Sequence, residues 1–184
     1  MSDTQAKVDA LIRELLQLVL EAGVFGFASA QAAQVKLGDV DVKGVELDGE
    51  EDTKPTRSAT ATVTCYLTVD EGCCNIARNA HGGFLAWLVD HCSSLGLLAL
   101  SGPGDRWTTS GVSTNLNLYY IGAAPVGTKL RIVTTVLQQG RVTGLLETRI
   151  EDDATDKLLV LGTHVKQDPQ RPTLKAFKKD KAKL

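Results

Sequence analysis

Residues 81–100 read HGGFLAWLVDHCSSLGLLAL, and this long, almost wholly apolar stretch decides the fold. His81-Gly82-Gly83 opens a predicted helix, which ends near Leu100 because SGPGD follows with two glycines and a proline. A helix that is apolar on nearly every side is buried on nearly every side. We therefore predict a core helix covered by other elements.

Strand-like runs rich in Thr, Val and Tyr lie on both sides of this helix. The separators IGAAPVG, QQGR and DDATD are short, so the last four strands are predicted to be antiparallel neighbours. The layout is α+β, with a sheet of about six strands around a buried helix. The predicted strands are 35–37 with 40–45, 59–69, 111–121, 129–138, 141–151 and 157–166.

Three segments are expected along the chain. Residues 1–30 contain an amphipathic helix over 4–22 and a linker, 31–168 form the main domain, and 169–184 form a basic flexible tail. Asp48–Arg57, DGEEDTKPTR, is charged and contains a proline, so we predict an exposed loop there.

Charge and cysteine usage exclude several classes of protein. The 184 residues carry a formal net charge of −2, but residues 171–184 hold six basic side chains against one acidic, which leaves the remainder acidic and unsuited to nucleic acid. The four cysteines lack metal-binding spacing, so we expect reduced thiols, no metal and no cofactor. Polar residues interrupt the apolar run 84–100, so no membrane span is expected.

Asp90 is the outlier on the core helix, because a carboxylate among apolar neighbours is costly to bury unless it is paired or protonated. A structural role, such as a bond to Ser94 one turn later, and a catalytic role are equally compatible with the pattern. At the helix start, Gly82 and Gly83 leave backbone N–H groups open to a developing negative charge. An ordinary glycine turn is the alternative there.

Two further polar residues flank these positions. Asn75 precedes His81 by six residues and could hold a ligand or a water through its amide, although a turn asparagine is the commoner role. Ser113 begins a strand, where its hydroxyl could hold a water or a carboxylate. His91 and His164 have no triad-like context, so structural roles are predicted for both.

The joint order of these residues resembles the hotdog-fold acyl-CoA thioesterases, in particular the thioesterase-superfamily-member and phenylacetate-thioesterase-like branch. The resemblance covers about residues 60–168, and Arg78 departs from it by standing where many members have glycine. The matching residues are Asn75, His81-Gly82-Gly83, Val89-Asp90, Gly111-Val112-Ser113, Ala123-Ala124-Pro125, Gly127 and Gly140-Arg141.

The resemblance implies a hotdog fold, edge-to-edge homodimers that often pair into homotetramers, and hydrolysis of acyl-CoA. It implies that Gly82 polarises the thioester carbonyl and that Asp90 is the nucleophile or general base. Asn75 and Ser113 would position water and carboxylate, and His81 would support the helix start. The residues implied at the coenzyme A site are Tyr120, Ala123, Pro125, Gln138, Gly140 and Arg141, the last as a phosphate partner.

Spacing alone adds a constraint. Gly82 and Asp90 are eight residues apart on one helix, or roughly 12 Å at about 1.5 Å per residue. Reacting atoms must approach to about 3–3.5 Å, so Asp90 would have to come from a second subunit.

Two other functions remain open at this stage. A hotdog hydratase or dehydratase acting on enoyl thioesters shares the fold, but such enzymes usually carry a histidine about five residues after the aspartate. A non-catalytic acyl-CoA-binding subunit is the other alternative, although binding alone would not need Asp90.

The chain ends in Ala182-Lys183-Leu184, which resembles the peroxisomal S-K-L address with alanine replacing serine. A mobile polar tail would expose it to an import receptor. We therefore expect a peroxisomal protein, or otherwise a cytoplasmic one.

Overall fold

The computed structural model describes residues 3–169 except 24–25, 51, 103–106 and 108. The helices are α1 (Asp3–Gly23), the short α2 (Ser29–Ala32) and α3 (Gly82–Ala99). The strands are β1 (Lys36–Asp48), β2 (Asp52–Thr68), β3 (Val112–Tyr120), β4 (Lys129–Gln139), β5 (Thr143–Asp152) and β6 (Leu158–Gln167).

The predicted core helix is confirmed as α3. By length and composition α3 could cross a membrane, but its apolar side chains form the centre of the core here. It packs against β4, β5 and β2 on one face of the sheet. Its buried residues are Leu85, Leu88, Val89, Cys92, Ser93, Leu95, Gly96, Leu97, Leu98 and Ala99.

Among the described residues, a six-stranded sheet packs on α3, in the order β1-β2-β4-β5-β6-β3 with every pair antiparallel. The α+β layout is therefore confirmed. β3 pairs with β6 and lies at one edge, where Val112, Tyr119 and Tyr120 are more than half exposed. An unpaired strand edge is a template for pairing with another chain.

The prediction that the last four strands are successive neighbours is wrong for β3 and β4, which β5 and β6 separate. The separator after β3 forms no hairpin. Its backbone bonds instead to the loop before α3, with Ala80 N–H donating to the Ala124 carbonyl at 2.8 Å and Asn79 bridging Pro125. The chain thus passes the start of α3 on its way across the sheet.

The prediction of an exposed loop over Asp48–Arg57 is also wrong, because most of these residues belong to β1 and β2. β1 and β2 form a long hairpin in which Leu47 pairs with Thr53 and Val45 pairs with Pro55. Thr53 and Pro55 are buried, whereas the side chains between and after them turn outward. The high charge of the segment obscures this two-residue alternation in the sequence. Pro55 is tolerated because β4 pairs with β2 only from Thr62 onward, so no ladder bond is lost on that side.

The predicted amphipathic N-terminal helix is confirmed as α1. Val8, Ile12, Leu16 and Leu20 are at most 4% exposed and join the same core cluster as α3. α1 packs against β1, β2 and α3, so it shares the core of the main domain. The basic tail and its Ala182-Lys183-Leu184 tripeptide lie outside the described residues, and the peroxisomal address stays a prediction.

Candidate active site

The two glycines at the start of α3 differ in whether their backbone N–H groups are already hydrogen-bonded. His81 is the N-cap residue, and its Nδ1 accepts a hydrogen bond from the Gly83 N–H at 2.9 Å. Because Nδ1 is an acceptor here, a neutral His81 carries its proton on Nε2. The Gly82 N–H has no acceptor among the described residues, whereas the Gly83 N–H is already used. Of the two glycines, Gly82 therefore offers the free N–H at the positive end of the helix dipole.

Tyr120, at the end of β3, closes one side of the helix start. Its hydroxyl donates to the Gly82 carbonyl at 2.9 Å, and a Cβ built on Gly82 would lie 3.6 Å from the ring. The exposed residues Ala123 and Pro125 follow on the segment that bonds to the loop before α3. The structure thus brings three of the residues predicted for coenzyme A binding close to Gly82.

Asn75 lies in this loop, and its side-chain oxygen has a structural role. Oδ1 accepts from the Ala77 N–H at 2.9 Å and from the Asn79 N–H at 3.3 Å, which is the turn function considered from the sequence. Arg78 adopts φ +60°, the left-handed conformation that glycine takes easily, and its exposed guanidinium pairs with Glu71 at 2.5 Å. The loop therefore keeps the backbone path that a glycine at position 78 would favour.

Asp90 lies in the middle of α3, with 45% of its side chain exposed. The Ser113 hydroxyl donates to Asp90 Oδ1 at 3.0 Å, so these two predicted site residues are in contact. Ser94 donates to the backbone carbonyl of Asp90 at 2.9 Å and does not bond its carboxylate. The carboxylate is thus anchored by β3 and keeps an accessible side.

Two groups on β6 that sequence reasoning did not place in the site complete the surroundings of Asp90. Lys166 Nζ and His164 Nε2 each lie 3.5 Å from Asp90 Oδ1, with side chains 4% and 1% exposed. The sequence shows that polar residues two apart in the strand LLVLGTHVKQ share a face. Only the structure shows that this face meets α3, because Gly162 on that face packs against Val89.

Burial sets the charge states of these groups. It lowers the pKa of His164 to about 4, with Lys166 nearby adding to the effect, so His164 is neutral at neutral pH. Burial also lowers the pKa of Lys166, against the opposing attraction of Asp90. His91, stacked on Trp87, likewise has its pKa lowered by burial. His91 is half-buried and His164 is buried, and neither Nε2 atom has a hydrogen-bond partner among the described residues, so the structural roles of the two histidines stay a prediction. His164 is also an Asp90 neighbour.

The second group predicted for coenzyme A lies at the other end of α3. Gln138 is exposed near the end of β4, and Arg141 is exposed on the turn between β4 and β5. Gly140, on the same turn, accepts a hydrogen bond from Trp107 at 3.2 Å. Gly144, next to this turn, packs against Leu97 in the last turns of α3. One chain therefore does not bring this turn to Gly82. Within the described residues, His, Cys, Asp and Glu form no group of three or more suited to a metal ion.

Comparisons with known proteins agree with this layout. The thioesterase superfamily model matches residues 78–158. Human acyl-coenzyme A thioesterase 13 is 32% identical over 109 residues, covering 59% of this chain and 74% of that protein.

Solved structures show the same fold. The zebrafish thioesterase superfamily member 2 has a TM-score of 0.65 at 25% identity, covering 83% of this chain and 95% of that one. The Escherichia coli PaaI protein from the phenylacetic acid degradation operon has a TM-score of 0.67 at 16% identity, covering 90% and 99%. This chain has the hotdog fold, belongs to the thioesterase superfamily and is a thioester hydrolase.

Proposed function

We propose that this chain hydrolyses acyl-CoA thioesters in a homodimer, with Gly82 of one copy and Asp90 of a second copy forming each active site. The observation that carries the proposal is the pairing of a free Gly82 N–H with a half-exposed, anchored carboxylate too far along the same helix to meet it. The human relative is named an acyl-coenzyme A thioesterase, which supports the substrate class.

In this mechanism the Gly82 N–H binds the carbonyl oxygen of the thioester and stabilises the negative charge that develops there. Asp90 takes a proton from water as the water oxygen attacks the carbonyl carbon, or it attacks that carbon itself and water cleaves the resulting anhydride. The carbon–sulfur bond breaks, coenzyme A leaves as the thiolate, and the products are the free acid and coenzyme A.

The other residues have supporting roles. Ser113 holds Asp90 Oδ1, and His81 holds the first turn of the helix. The amide nitrogen of Asn75, for which the described residues provide no acceptor, would position the carbonyl or the water, since the side-chain oxygen holds the turn. Tyr120, Ala123 and Pro125 would bind coenzyme A beside Gly82. Gln138, Gly140 and Arg141 would come from the second copy, with Arg141 contacting a phosphate.

The edge of the sheet supports the dimer. β3 carries Ser113 and Tyr120, and its outer side has no strand partner among the described residues. Pairing two β3 edges would join the two sheets and bring both site halves toward the same interface. A further pairing into tetramers would leave this arrangement unchanged.

The hydratase alternative fits the chain less well. The position five residues after Asp90 is Leu95, which is 1% exposed and belongs to the core. The described residues place His164 beside Asp90 instead, and burial keeps that histidine neutral. A non-catalytic binding subunit would have no need of a carboxylate anchored on one oxygen.

The test is release of coenzyme A thiol from short, medium, long and aromatic acyl-CoAs by wild type and by Asp90→Asn. We expect turnover by wild type and a loss of about 10³-fold in kcat for the variant, whose amide cannot accept the proton. The control is Asp41→Asn, which removes an exposed carboxylate on β1 and should leave kcat unchanged. Normal hydrolysis by Asp90→Asn would contradict the assignment, and enoyl-CoA consumption without free thiol would indicate the hydratase.

A further inference from the structure

Lys166 is a buried cation that the mechanism above does not use. Its side chain is 4% exposed on the inner face of β6, which is an unfavourable place for an ammonium group without strong partners. Nζ donates to Ser94 Oγ at 2.7 Å and to Asp90 Oδ1 at 3.5 Å. Ser94 in turn donates to the backbone carbonyl of Asp90. Both contacts of the ammonium group therefore lead to Asp90.

The groups around Asp90 converge on one of its two carboxylate oxygens. Ser113 Oγ lies 3.0 Å from Oδ1, and Lys166 Nζ and His164 Nε2 each lie 3.5 Å from it. Oδ2 accepts no hydrogen bond from the described residues. This asymmetry fixes the carboxylate by Oδ1 and leaves Oδ2 available to a reacting water or thioester carbon.

Lys166 is also the source of positive charge at this position. His164 is neutral at neutral pH, because burial lowers its pKa to about 4, and burial lowers the pKa of His91 as well. Ser93, Ser94 and Ser113 contribute hydroxyl groups without net charge. Among the described residues, Lys166 is therefore the cation that faces the Asp90 carboxylate.

We propose that Lys166 is a positioning residue for the reaction, holding the Asp90 carboxylate through Oδ1 so that Oδ2 is the reacting oxygen. The inference rests on the proposed role of Asp90. It assigns Lys166 no contact with the substrate and no proton transfer. Its effect on the reaction passes through the charge and orientation of Asp90.

The experiment compares Lys166→Met with wild type over pH 4.5–9 in steady-state hydrolysis of an acyl-CoA that wild type turns over. Methionine has nearly the length of lysine without its charge. We expect kcat to fall about 10- to 100-fold and KM to stay within about twofold, because the substrate does not touch Lys166. The acid limb of the kcat profile should move up by about one pH unit or more, since losing the cation favours the protonated carboxylic acid.

Two matched variants separate charge from packing. Lys166→Arg retains the positive charge and should keep the acid limb within about half a pH unit of the wild-type position. Lys157→Met removes a charge from an exposed lysine just before β6 and should leave both kcat and the profile unchanged. If Lys166→Met does not fold, Ser94→Ala replaces it: loss of the 2.7 Å contact should move the acid limb in the same direction by a smaller amount.

An acid limb that stays in place in the folded Lys166→Met variant, or in Ser94→Ala if that variant has to serve, would overturn the proposal. The proposal would also be overturned if the drop in kcat is fully explained by a smaller amount of folded protein. The Asp90→Asn variant distinguishes a failure of the proposed role of Lys166 from a failure of the proposed function. If Asp90→Asn is inactive while the Lys166→Met profile is normal, only the role of Lys166 is wrong; if Asp90→Asn is active, the proposed function itself fails.

Discussion

The first turn of α3 and its midpoint, only two turns further along, provide different kinds of chemistry. At Gly82 the functional group is a backbone N–H on an exposed turn, surrounded by His81 and Tyr120. At Asp90 it is a side-chain carboxylate whose neighbours His164 and Lys166 are almost fully buried. The first site depends on local backbone geometry, and the second depends on strands distant in sequence.

In the proposed mechanism, one helix carries both halves of a reaction that it cannot perform alone. Each half is locally complete, because Gly82 has its free donor and Asp90 has its anchored oxygen. The roughly 12 Å between them prevents a common substrate contact within one chain. The predictions below perturb one half while leaving the other intact.

A large effect is expected at the first turn, from removing the Gly82 N–H. Gly82→Pro deletes this donor at the first helical position, where proline is well tolerated, and His81 before it is already extended at φ −66°, ψ 138°. We expect kcat to fall about 10²- to 10³-fold, the usual loss for one oxyanion donor. Steady-state thiol release with a melting curve measures the effect.

Gly82→Ala is the matched control, because it adds a Cβ in ordinary contact with Tyr120 but keeps the N–H. Its kcat should stay within about tenfold of wild type. Equal losses in the proline and alanine variants would mean that bulk, and not the missing donor, causes the defect.

The second prediction concerns acid stability at the midpoint of α3. The pKa of His164 is about 4 in the folded protein and near 6.5 when unfolded, so the unfolded state binds more protons between these values. The free energy of unfolding should therefore fall as pH drops from 6.5 to 4, by up to about 3 kcal/mol from this group. Urea unfolding of wild type and His164→Asn between pH 4 and 6.5 measures this change in the free energy of unfolding.

His164→Asn should show a shallower decline than wild type, because asparagine does not titrate. The control is Gln138→Asn, which changes an exposed side chain near the end of β4 without adding or removing a titratable group and should leave the pH slope unchanged. Parallel slopes in wild type and His164→Asn would contradict the buried, neutral state of His164.

The same contrast separates what sequence could predict from what it could not. The boundaries of α3, the identity of Gly82 as a helix-start residue and the amphipathic α1 follow from local patterns, and all agree with the structure. The pairing of β3 with β6 does not follow, because it depends on a crossing segment bonded to the loop before α3.

The sequence predicts only some of the neighbours of Asp90, for the same reason. The sequence makes Ser113 a candidate from its place at the start of a strand, and the family resemblance adds its role. Lys166 and His164 lie on a strand more than 70 residues after Asp90, so only the sheet register places them beside it. The hairpin at Asp48–Arg57 is not evident from the sequence, because its charge conceals the alternation of Thr53 and Pro55. Local sequence patterns predict the first turn of α3. Pairing between strands far apart in the sequence determines the surroundings of Asp90 at the midpoint of the helix.

A third prediction tests whether the two halves come from different chains. Gly82→Pro and Asp90→Asn subunits are mixed after reversible dissociation. In a mixed dimer, the intact Gly82 of one subunit meets the intact Asp90 of the other, so one of two sites is complete. With about half of the dimers mixed, hydrolysis should recover to about a quarter of the wild-type rate. Activity that stays at the level of the separate variants would place both halves in one chain.

The smallest effect is expected in the loop before the first turn, where Arg78 has φ +60°. Arg78→Gly and Arg78→Ala both lose the exposed ion pair with Glu71, so their difference reports the backbone alone. Glycine relieves the strain of the left-handed conformation, so the free energy of unfolding of Arg78→Gly should exceed that of Arg78→Ala by about 0.5–1 kcal/mol. Ala77→Gly, at an ordinary φ in the same loop, should be destabilising instead. If Arg78→Gly is no more stable than Arg78→Ala in urea, this loop does not hold position 78 in the glycine conformation.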